Sequence, residues 1–361
     1  MKGEPMKKIG IKIALPLLFL FAAVTVLLMP RFLPTFGKAP PGSSTIVSSA
    51  GSCASRTGVS AESSSVPDTP SAASSGQASG SASSQGSAQE DGIPAIARAA
   101  SSKKQAEAPA PPQTPSPAVT ALMPDAPGTA VFSGQGAEMD YSNAAHGYLM
   151  VRYSGSERVK VLVYYNGGSS YYQYNISSGG RYSTLPLQSG SGSYRVRFMK
   201  NLGGDMYSEI CSTTIDASIR GTGCFLYPNQ YVNYTRSSET VQKAKSLCRY
   251  AYSDSQKTAA IYSYITTAIR YDSAKARSVA SGYVPDVDST LESGRGICFD
   301  YAALMAAMCR SQQIPAKLVV GNTSSGYHAW NEVYLGGWKR YDPTFGAAGQ
   351  TAGGYTPQKY Y

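Results

Sequence analysis

The aromatic residues of this chain are confined to its C-terminal part. All 27 tyrosines lie at or after Tyr141, and the two tryptophans are Trp330 and Trp338. Because these side chains supply much of the buried area of a folded domain, the first 140 residues lack the material for a core. The folded part is expected to comprise about 220 residues, enough for one or two domains and too few for a large multidomain machine.

A hydrophobic run near the N-terminus, residues 13–29, follows four lysines and precedes Arg31 and Lys38. Its length lies between that of a signal-peptide core and that of a full membrane span. No A-x-A cleavage site follows at the usual distance. We therefore predict an uncleaved signal anchor in residues 1–35, with the C-terminal domains extracellular. Cleavage of this segment and secretion of the protein is the alternative.

The next segment, residues 36–130, is dominated by serine, alanine, glycine and proline. This composition buries too little apolar surface to offset chain entropy and predicts a disordered linker. A coil of this size has an end-to-end span of roughly 55 Å. That reach suits a domain placed within or across a cell wall, although a spacer without a distance requirement fits equally well.

The net charge of +10 does not indicate a nucleic-acid partner. Half of the excess lies in residues 1–40, beside the hydrophobic run, and the rest is scattered without a run of lysine or arginine. A nucleic-acid surface normally needs a basic stripe. Weak attraction to anionic wall polymers or to a membrane is the milder interpretation.

Residues 131–218 read as short strands separated by glycine-containing turns. Apolar residues alternate at Val159, Val161 and Val163, which places them on one buried face of a strand. The prediction is a small antiparallel β sandwich. Its many tyrosines fit sheet packing better than a glycan-binding surface.

Residues 219–361 combine helices with strands. Ser238 is expected to cap a helix that ends near Tyr250, Asp254 to cap a second, and a strongly apolar helix to begin at or near Cys298. Strand-like segments follow, with the sequences AKLVVG, HAWNEVYL and WKRYDPT. Helices followed by antiparallel strands predict an α+β domain.

Cys298 is the candidate nucleophile. It follows the sequence GRGI at the expected start of a helix, where the first-turn N–H groups and the helix dipole favour a thiolate. Cys309, in the middle of the same helix, is expected to be a core residue. Among the other cysteines, a bridge between Cys211 and Cys224 is possible in an exported protein, and no Cys/His spacing typical of a metal site occurs.

His328 and Asp342 are the candidate base and its orienting partner. A short hairpin at Gly336-Gly337 is expected to lay their two strands side by side, with Asp342 reaching His Nδ1 and Nε2 facing out. The only other histidine, His146, lies in the β-rich region without such partners and is expected at the surface.

Three sequence blocks together resemble the transglutaminase-like superfamily, a branch of the papain-like cysteine enzymes. They are GICFDYAALMAAMCRSQQIPAKLVVG and, within YHAWNEVYLGGWKRYDPTF, the H-A-W and D-P-T motifs. The resemblance implies a papain/transglutaminase-like core in which Cys298 is the nucleophile, His328 the general base and Asp342 its orienter. The arrangement of a β module followed by the sequence LYPNQYVNYT resembles the domain order of exported transglutaminase-like proteins of Gram-positive bacteria.

The resemblance implies acyl transfer at an amide through a thioester on Cys298, with an oxyanion hole formed by the Cys298 N–H and a second donor. Gln230 and Tyr231 lie where that donor would be sought, but a loop role fits them better. Trp330 either shields the site or simply packs. No nucleotide or calcium motif is present, so no cofactor is expected.

The motifs do not choose between water and an amine as acyl acceptor. We expect a thiol peptidase or acyltransferase that acts on surface proteins or cell-wall peptides. The alternative is a non-catalytic adhesion or wall-binding protein that uses the same fold as a scaffold. A purely structural spacer would require both folded regions to be inert.

Overall fold

A computed structural model of the chain describes Ile46–Val47 and residues 114–361. The predicted anchor in residues 1–35 and most of the predicted linker lie outside the described residues. Among the helices that are described, none has both the length and the apolar character needed to cross a membrane.

The β-rich region consists of two sheets. Its strands are β1 (Ile46–Val47), β2 (Val131–Gly134), β3 (Ala137–Asp140), β4 (Tyr148–Tyr153), β5 (Val159–Tyr165), β6 (Tyr171–Ile176), β7 (Ser183–Pro186), β8 (Gly192–Gly203) and β9 (Met206–Ala217). One sheet has the order β2-β3-β4-β7 and the other the order β1-β9-β8-β5-β6. All neighbouring strands are antiparallel except β1, which runs parallel to β9.

The two-residue periodicity of the sequence decides which faces of these sheets are buried. Val161 lies opposite Phe198, and Val163 lies opposite Val196, in the pairing of β5 with β8. All four side chains are buried in one hydrophobic cluster to which both sheets contribute. Alternate residues of a strand share a face, so one register buries the whole set.

The second region is built around one buried helix. Its helices are α1 (Glu239–Leu247), α2 (Asp254–Ala268), α3 (Ser273–Ser278), α4 (Val287–Ser293), α5 (Cys298–Ser311) and α6 (Pro343–Ala347). Helix α5 begins at the predicted residue, and every one of its residues except Phe299 is buried. The cap of α2 is Ser253 rather than Asp254: the Ser253 side chain accepts from the N–H of Gln256, which leaves Asp254 as the first helical residue.

An antiparallel sheet packs on α5, as the order of helices and strands predicts. Its strands are β12 (Ala316–Thr323), β13 (Gly326–Tyr334), β14 (Trp338–Tyr341) and β15 (Thr356–Tyr360), in the order β14-β13-β12-β15. A separate pair, β10 (Arg270–Tyr271) and β11 (Arg295–Gly296), is parallel. The buried amide of Asn331 donates to the main-chain oxygens of Ala302 on α5 and Lys317 on β12, which ties helix to sheet.

The β-rich region meets the second region along the free edge of β6. The main-chain oxygens of Tyr171 and Gln173 accept from Lys359 Nζ and the Tyr231 hydroxyl, and the N–H of Asn175 donates to Gln230 Oε1. These bonds satisfy outward-facing groups that an edge strand would otherwise leave open. The edge is therefore an internal contact of the folded part.

The end of the predicted linker is ordered. Residues 114–130 lie outside helices and strands and bond first to the second region, as Ser116 does to Cys248, and then to the β-rich region, as Gly128 does to Asp140. Arg236 donates to the Ala121 main-chain oxygen, Gln313 donates to that of Thr120, and the Ala121 side chain is buried. The described part thus begins before the predicted boundary at 131. The linker was predicted from the average composition of residues 36–130, in which the few apolar residues near its end carry little weight.

All five described cysteines are free and buried. Cys211 and Cys224, for which the sequence leaves a bridge open, are therefore not joined.

Candidate functional site

Cys298 occupies the first position of α5. Gly296 precedes it by two residues, and a side chain there would collide with the Cβ of Asp300 at 2.7 Å, so this approach to the helix requires glycine. The Cys298 residue is 8% exposed. The nucleophile candidate thus lies just beneath the surface at a helix N-terminus.

Asp300 fixes this end of the helix. Its carboxylate is fully buried and accepts from the N–H of Ile297 at 2.8 Å, from Lys275 Nζ at 2.7 Å and from the Tyr283 hydroxyl at 2.6 Å. Burial alone would lower the pKa of Lys275, but the hydrogen bonds to Asp300 and Tyr283 outweigh it and raise that pKa. Sequence reasoning missed Asp300, although an acid two residues into the first turn is a capping signal.

The thiol of Cys298 does not have the lowered pKa that its position predicts. Burial raises the pKa of Cys298 to about 12, and the negative charge of Asp342 adds to the rise. Hydrogen bonds from the backbone N–H groups of Ala329 and Phe299 oppose that shift without cancelling it. The helix terminus therefore does not by itself lower this pKa, because desolvation outweighs the helix dipole.

The N–H of Ala329, the residue that follows His328, is one of the groups that lower the pKa of Cys298. It belongs to β13, the strand on which α5 packs.

His328 contacts Asp342 directly. The distance from His328 Nε2 to Asp342 Oδ2 is 2.8 Å, and the His328 side chain is fully buried. An ionised carboxylate only accepts, so Nε2 carries the proton of the neutral ring and Nδ1 carries its lone pair. The expected pairing of Asp342 with Nδ1 is wrong. Asp342 is the N-cap residue of α6 and lies beyond the end of β14. From that position its carboxylate contacts Nε2 of the His328 ring and not Nδ1.

The Asp342 carboxylate has two further donors. The N–H of Phe345 bonds to Oδ1 at 3.0 Å, and the Tyr355 hydroxyl bonds to Oδ2 at 2.9 Å. Sequence reasoning did not find Tyr355, which lies thirteen residues after Asp342 in a glycine-rich stretch without a recognisable motif.

Aromatic rings enclose His328. The ring of Phe345 lies 4.7 Å from it, and Trp330 stacks at 6.4 Å with an interplanar angle of 17°. Trp330 is buried and meets the edge of Tyr355 at 5.0 Å. Of the two roles considered for Trp330, the structure therefore shows packing.

Three other residues from the sequence analysis lie apart from this cluster. Gln230 contacts β6 through its side chain, consistent with a loop role. His146 is exposed, with Nδ1 3.2 Å from Asn143 Oδ1. Cys309 is fully buried near the other end of α5. Within the described part of the chain, no group of three or more His, Cys, Asp or Glu side chains is arranged to hold a metal ion.

A comparison with protein-family models matches the region that contains α5, the β13–β14 hairpin and the three candidate residues. Residues 241–343 match the family model of the transglutaminase-like superfamily. This stretch is a transglutaminase-like domain. It spans α1 to the start of α6 and contains all three candidate residues.

Similar proteins are found in bacteria. An uncharacterized protein of Mycobacterium leprae is 36% identical over 81 residues, which cover 17% of this chain and 29% of that protein. A solved structure from Cytophaga hutchinsonii, provisionally described as a cysteine protease, has 18% identity and a TM-score of 0.30 over 55% of this chain and 78% of that one. Another, from Parabacteroides distasonis and provisionally described as a protease, has 13% identity and a TM-score of 0.24 over 51% and 37%. The matched region thus spans less than a third of the Mycobacterium relative.

The family match supports a cysteine enzyme at a coarse level.

Proposed function

We propose that this chain is an exported, membrane-tethered thiol enzyme that hydrolyses amide bonds or transfers their acyl groups. In this proposal Cys298 is the nucleophile, His328 the general base and Asp342 its orienter. The supporting observation is the 2.8 Å contact between His328 Nε2 and Asp342 Oδ2 in a transglutaminase-like domain whose Cys298 thiol lies beside the next residue of the same strand.

The chemistry begins from a neutral thiol. Because burial raises the pKa of Cys298 to about 12, the free thiolate is scarce at neutral pH. His328 Nδ1 accepts the thiol proton as the sulfur attacks the amide carbonyl carbon. The imidazolium formed is stabilised by Asp342 across Nε2. Proton transfer and attack are thereby coupled, and the site needs no permanent ion pair.

The second half of the reaction uses the same groups. The carbonyl π electrons move onto oxygen, and the Cys298 main-chain N–H at the start of α5 donates to that oxyanion. When the C–N bond breaks, its electron pair stays on nitrogen, and His328 returns the proton to the departing amine. The thioester on Cys298 is then attacked by water, giving an acid, or by an amine, giving a new amide. In both cases His328 removes the proton of the attacking group. The C–S bond then breaks with its electron pair on sulfur, and the imidazolium returns the proton to Cys298, which restores the neutral thiol and the neutral ring.

The hydrophobic run in residues 13–29 and the long linker support export and tethering. A tethered domain outside the cell meets surface proteins and cell-wall peptides, which are the proposed substrates. We propose that the two sheets of residues 131–217 form a sandwich module that the enzyme carries beside its catalytic domain.

A second candidate is a non-catalytic scaffold for adhesion or wall binding. The observation in its favour is the burial of the Cys298 thiol, which leaves the residue 8% exposed and its pKa raised. A scaffold would tolerate such a closed site, whereas an enzyme must admit substrate to it.

The two candidates differ in what a matched pair of variants does. The full chain in detergent micelles is incubated with dimethylcasein as acyl donor and dansylcadaverine as amine, while casein peptides report hydrolysis. The enzyme hypothesis expects covalent labelling or cleavage that Cys298→Ala abolishes and Cys309→Ala retains. Equal product from both variants would contradict it. Complete absence of acyl adducts on Cys298 by mass spectrometry, with folding intact, would favour the scaffold.

A further inference from the structure

Asp342 shares one of its two carboxylate oxygens between two partners. Oδ2 lies 2.8 Å from His328 Nε2 and 2.9 Å from the Tyr355 hydroxyl, while Oδ1 accepts the N–H of Phe345. All three donors point at a single carboxylate. Its orientation is therefore fixed at both oxygens, and the charge that faces His328 is partly engaged by Tyr355.

We infer that Tyr355 is a positioning residue of the proposed reaction, whose hydroxyl holds the Asp342 carboxylate and limits how tightly that carboxylate retains the proton on His328. This inference rests on the proposed function. It adds a fourth side chain to the three that the sequence motifs identify.

The fold holds Tyr355 in place from both sides. Just before it, the main-chain oxygen of Gly353 accepts from the N–H of Ser324, in the turn between β12 and β13. Just after it, Thr356 begins β15 and pairs with Asn322. The glycine-rich stretch that carries Tyr355 is thus tied to β12 and to the turn that leads into β13, the strand of His328.

The Tyr355 ring is held as firmly as its hydroxyl. It packs edge-on against Trp330 at 5.0 Å, and the Arg340 guanidinium lies over its face at 4.0 Å from the ring centroid. Trp330 in turn stacks on His328. Trp330 therefore packs between Tyr355 and His328, the two residues that share the Asp342 carboxylate.

Tyr355 acts as a donor throughout the neutral range. Burial raises the pKa of Tyr355, and the charge of Asp342 and the hydrogen bond to it raise that pKa further, against the opposing charge of Arg340. The hydroxyl proton therefore remains available to Asp342.

Three titratable groups besides His328 interact with Asp342, and a fourth lies against one of them. Cys298 at the start of α5, Tyr262 on α2 and Tyr355 before β15 interact with Asp342, and Arg340 on β14 lies over the Tyr355 ring. Of these, Tyr355 is hydrogen-bonded to a carboxylate oxygen, whereas the Tyr262 hydroxyl donates to the Asp342 main-chain oxygen at 3.2 Å. Tyr262 is therefore a matched control.

Replacing Tyr355 by phenylalanine removes one donor and keeps the ring. Oδ2 then carries more charge toward His328, so the imidazolium is stabilised and the ring titrates at higher pH. The proton that His328 must return to the leaving amine is held more tightly. We expect amide turnover to fall roughly tenfold, the lower end of the loss when a charged group gives up a hydrogen bond.

Imidazole nitrogen NMR measures this directly, because the chain has only two histidines and His146 is an exposed internal reference. Titrations compare the wild-type full chain with Tyr355→Phe and Tyr262→Phe, in detergent micelles. The expected result is an upward shift of the His328 midpoint in Tyr355→Phe alone, on the order of half a pH unit, with His146 unchanged. No shift, or an equal shift in Tyr262→Phe, overturns the inference.

Alkylation of Cys298 in His328→Ala separates this result from the proposed function. If His328→Ala slows alkylation while Tyr355→Phe shifts nothing, the function stands and the role of Tyr355 fails. If alkylation ignores His328, the proposed function fails, and a role for Tyr355 in that reaction fails with it even where the NMR shift is seen.

Discussion

The two ends of α5 each carry a cysteine, and their surroundings differ. Cys298 in the first turn and Cys309 in the last are both buried, and burial raises the pKa of each thiol. Cys298 also accepts hydrogen bonds from two main-chain N–H groups, and it lies close enough to Asp342 to feel its charge. Burial therefore does not distinguish a reactive thiol from a structural one. In the proposed function, the difference lies in the group that receives the thiol proton, which for Cys298 is His328.

The charged residues at the two ends show the same contrast. At the first turn, the Asp300 carboxylate orders the approach to Cys298. At the last turn, Arg310 is fully buried, and its guanidinium donates to the main-chain oxygens of Ala316, Tyr227 and Tyr361. Burial lowers the pKa of Arg310 to about 10. This arginine joins segments of the fold, whereas Asp300 supports the candidate site.

The largest expected effect separates the two thiols. Cys298→Ala should abolish acyl transfer and hydrolysis, because the proposed mechanism forms the thioester on the Cys298 sulfur. Cys309→Ala should keep activity and cost about 1–2 kcal/mol of stability through a small cavity. Turnover on casein peptides and urea unfolding of each variant check the pair. A loss of activity in Cys309→Ala with unchanged stability would contradict the contrast.

The next effect concerns the proton acceptor. His328→Ala should reduce turnover by about 10²–10⁴-fold, the usual range for a general base. Asp342→Asn should also reduce it, because an amide no longer stabilises the imidazolium. Turnover measured with saturating peptide isolates the chemical step. His146→Ala is the control, and an equal loss in that variant would show that the effect is not specific to the site.

A smaller effect is expected at the ordered approach to Cys298. Asp300→Ala leaves the Ile297 N–H, the Lys275 ammonium and the Tyr283 hydroxyl without their buried acceptor. We expect a loss of about 2–3 kcal/mol in the free energy of unfolding. Urea denaturation tests this against Glu332→Ala, which removes a carboxylate that is 21% exposed, against 0% for Asp300, and should cost less than about 1 kcal/mol. Equal losses of unfolding free energy in the two variants would contradict the stabilising role assigned to Asp300.

The smallest effect concerns pH. Burial raises the pKa of Cys248 from about 9 to about 11, so the folded state retains a proton that the unfolded chain has lost. The sign is therefore a stability that is full below pH 9 and falls between pH 9 and 11. Cys248→Ala should flatten this slope in urea titrations. An unchanged slope would show that the Cys248 thiol does not contribute to it.

Much of the transglutaminase-like domain could be predicted because its signals are local. The start of α5 at Cys298 follows from its glycine-bearing approach, and the β13–β14 hairpin follows from Gly336-Gly337. Strand β15 was missed, because its sequence TPQKY is polar and contains a proline. Nothing local indicates that it pairs with β12 at the edge of the sheet.

The errors at the site share a physical origin in tertiary structure. The ring nitrogen that meets Asp342 depends on where α6 begins relative to β14, and the raised pKa of Cys298 depends on how deeply α5 is buried. Tyr355 reaches Asp342 only because β15 returns to the sheet beside β12. Spacing along the chain carries none of this information.

The most direct test of the central claim is the rate of iodoacetamide alkylation at Cys298 against pH, in the wild-type full chain and in His328→Ala. Cys309 in the same molecule is the internal reference, and peptide mass spectrometry separates the two sites. Although burial raises the pKa of the Cys298 thiol, His328 is expected to take up the thiol proton during attack, so Cys298 should react along a limb below the ordinary cysteine range of about 8.5. Cys309 should stay unmodified while the protein is folded, and His328→Ala should remove the limb. A Cys298 that reacts no faster than Cys309, or a rate unchanged by His328→Ala, would contradict activation of Cys298 by His328.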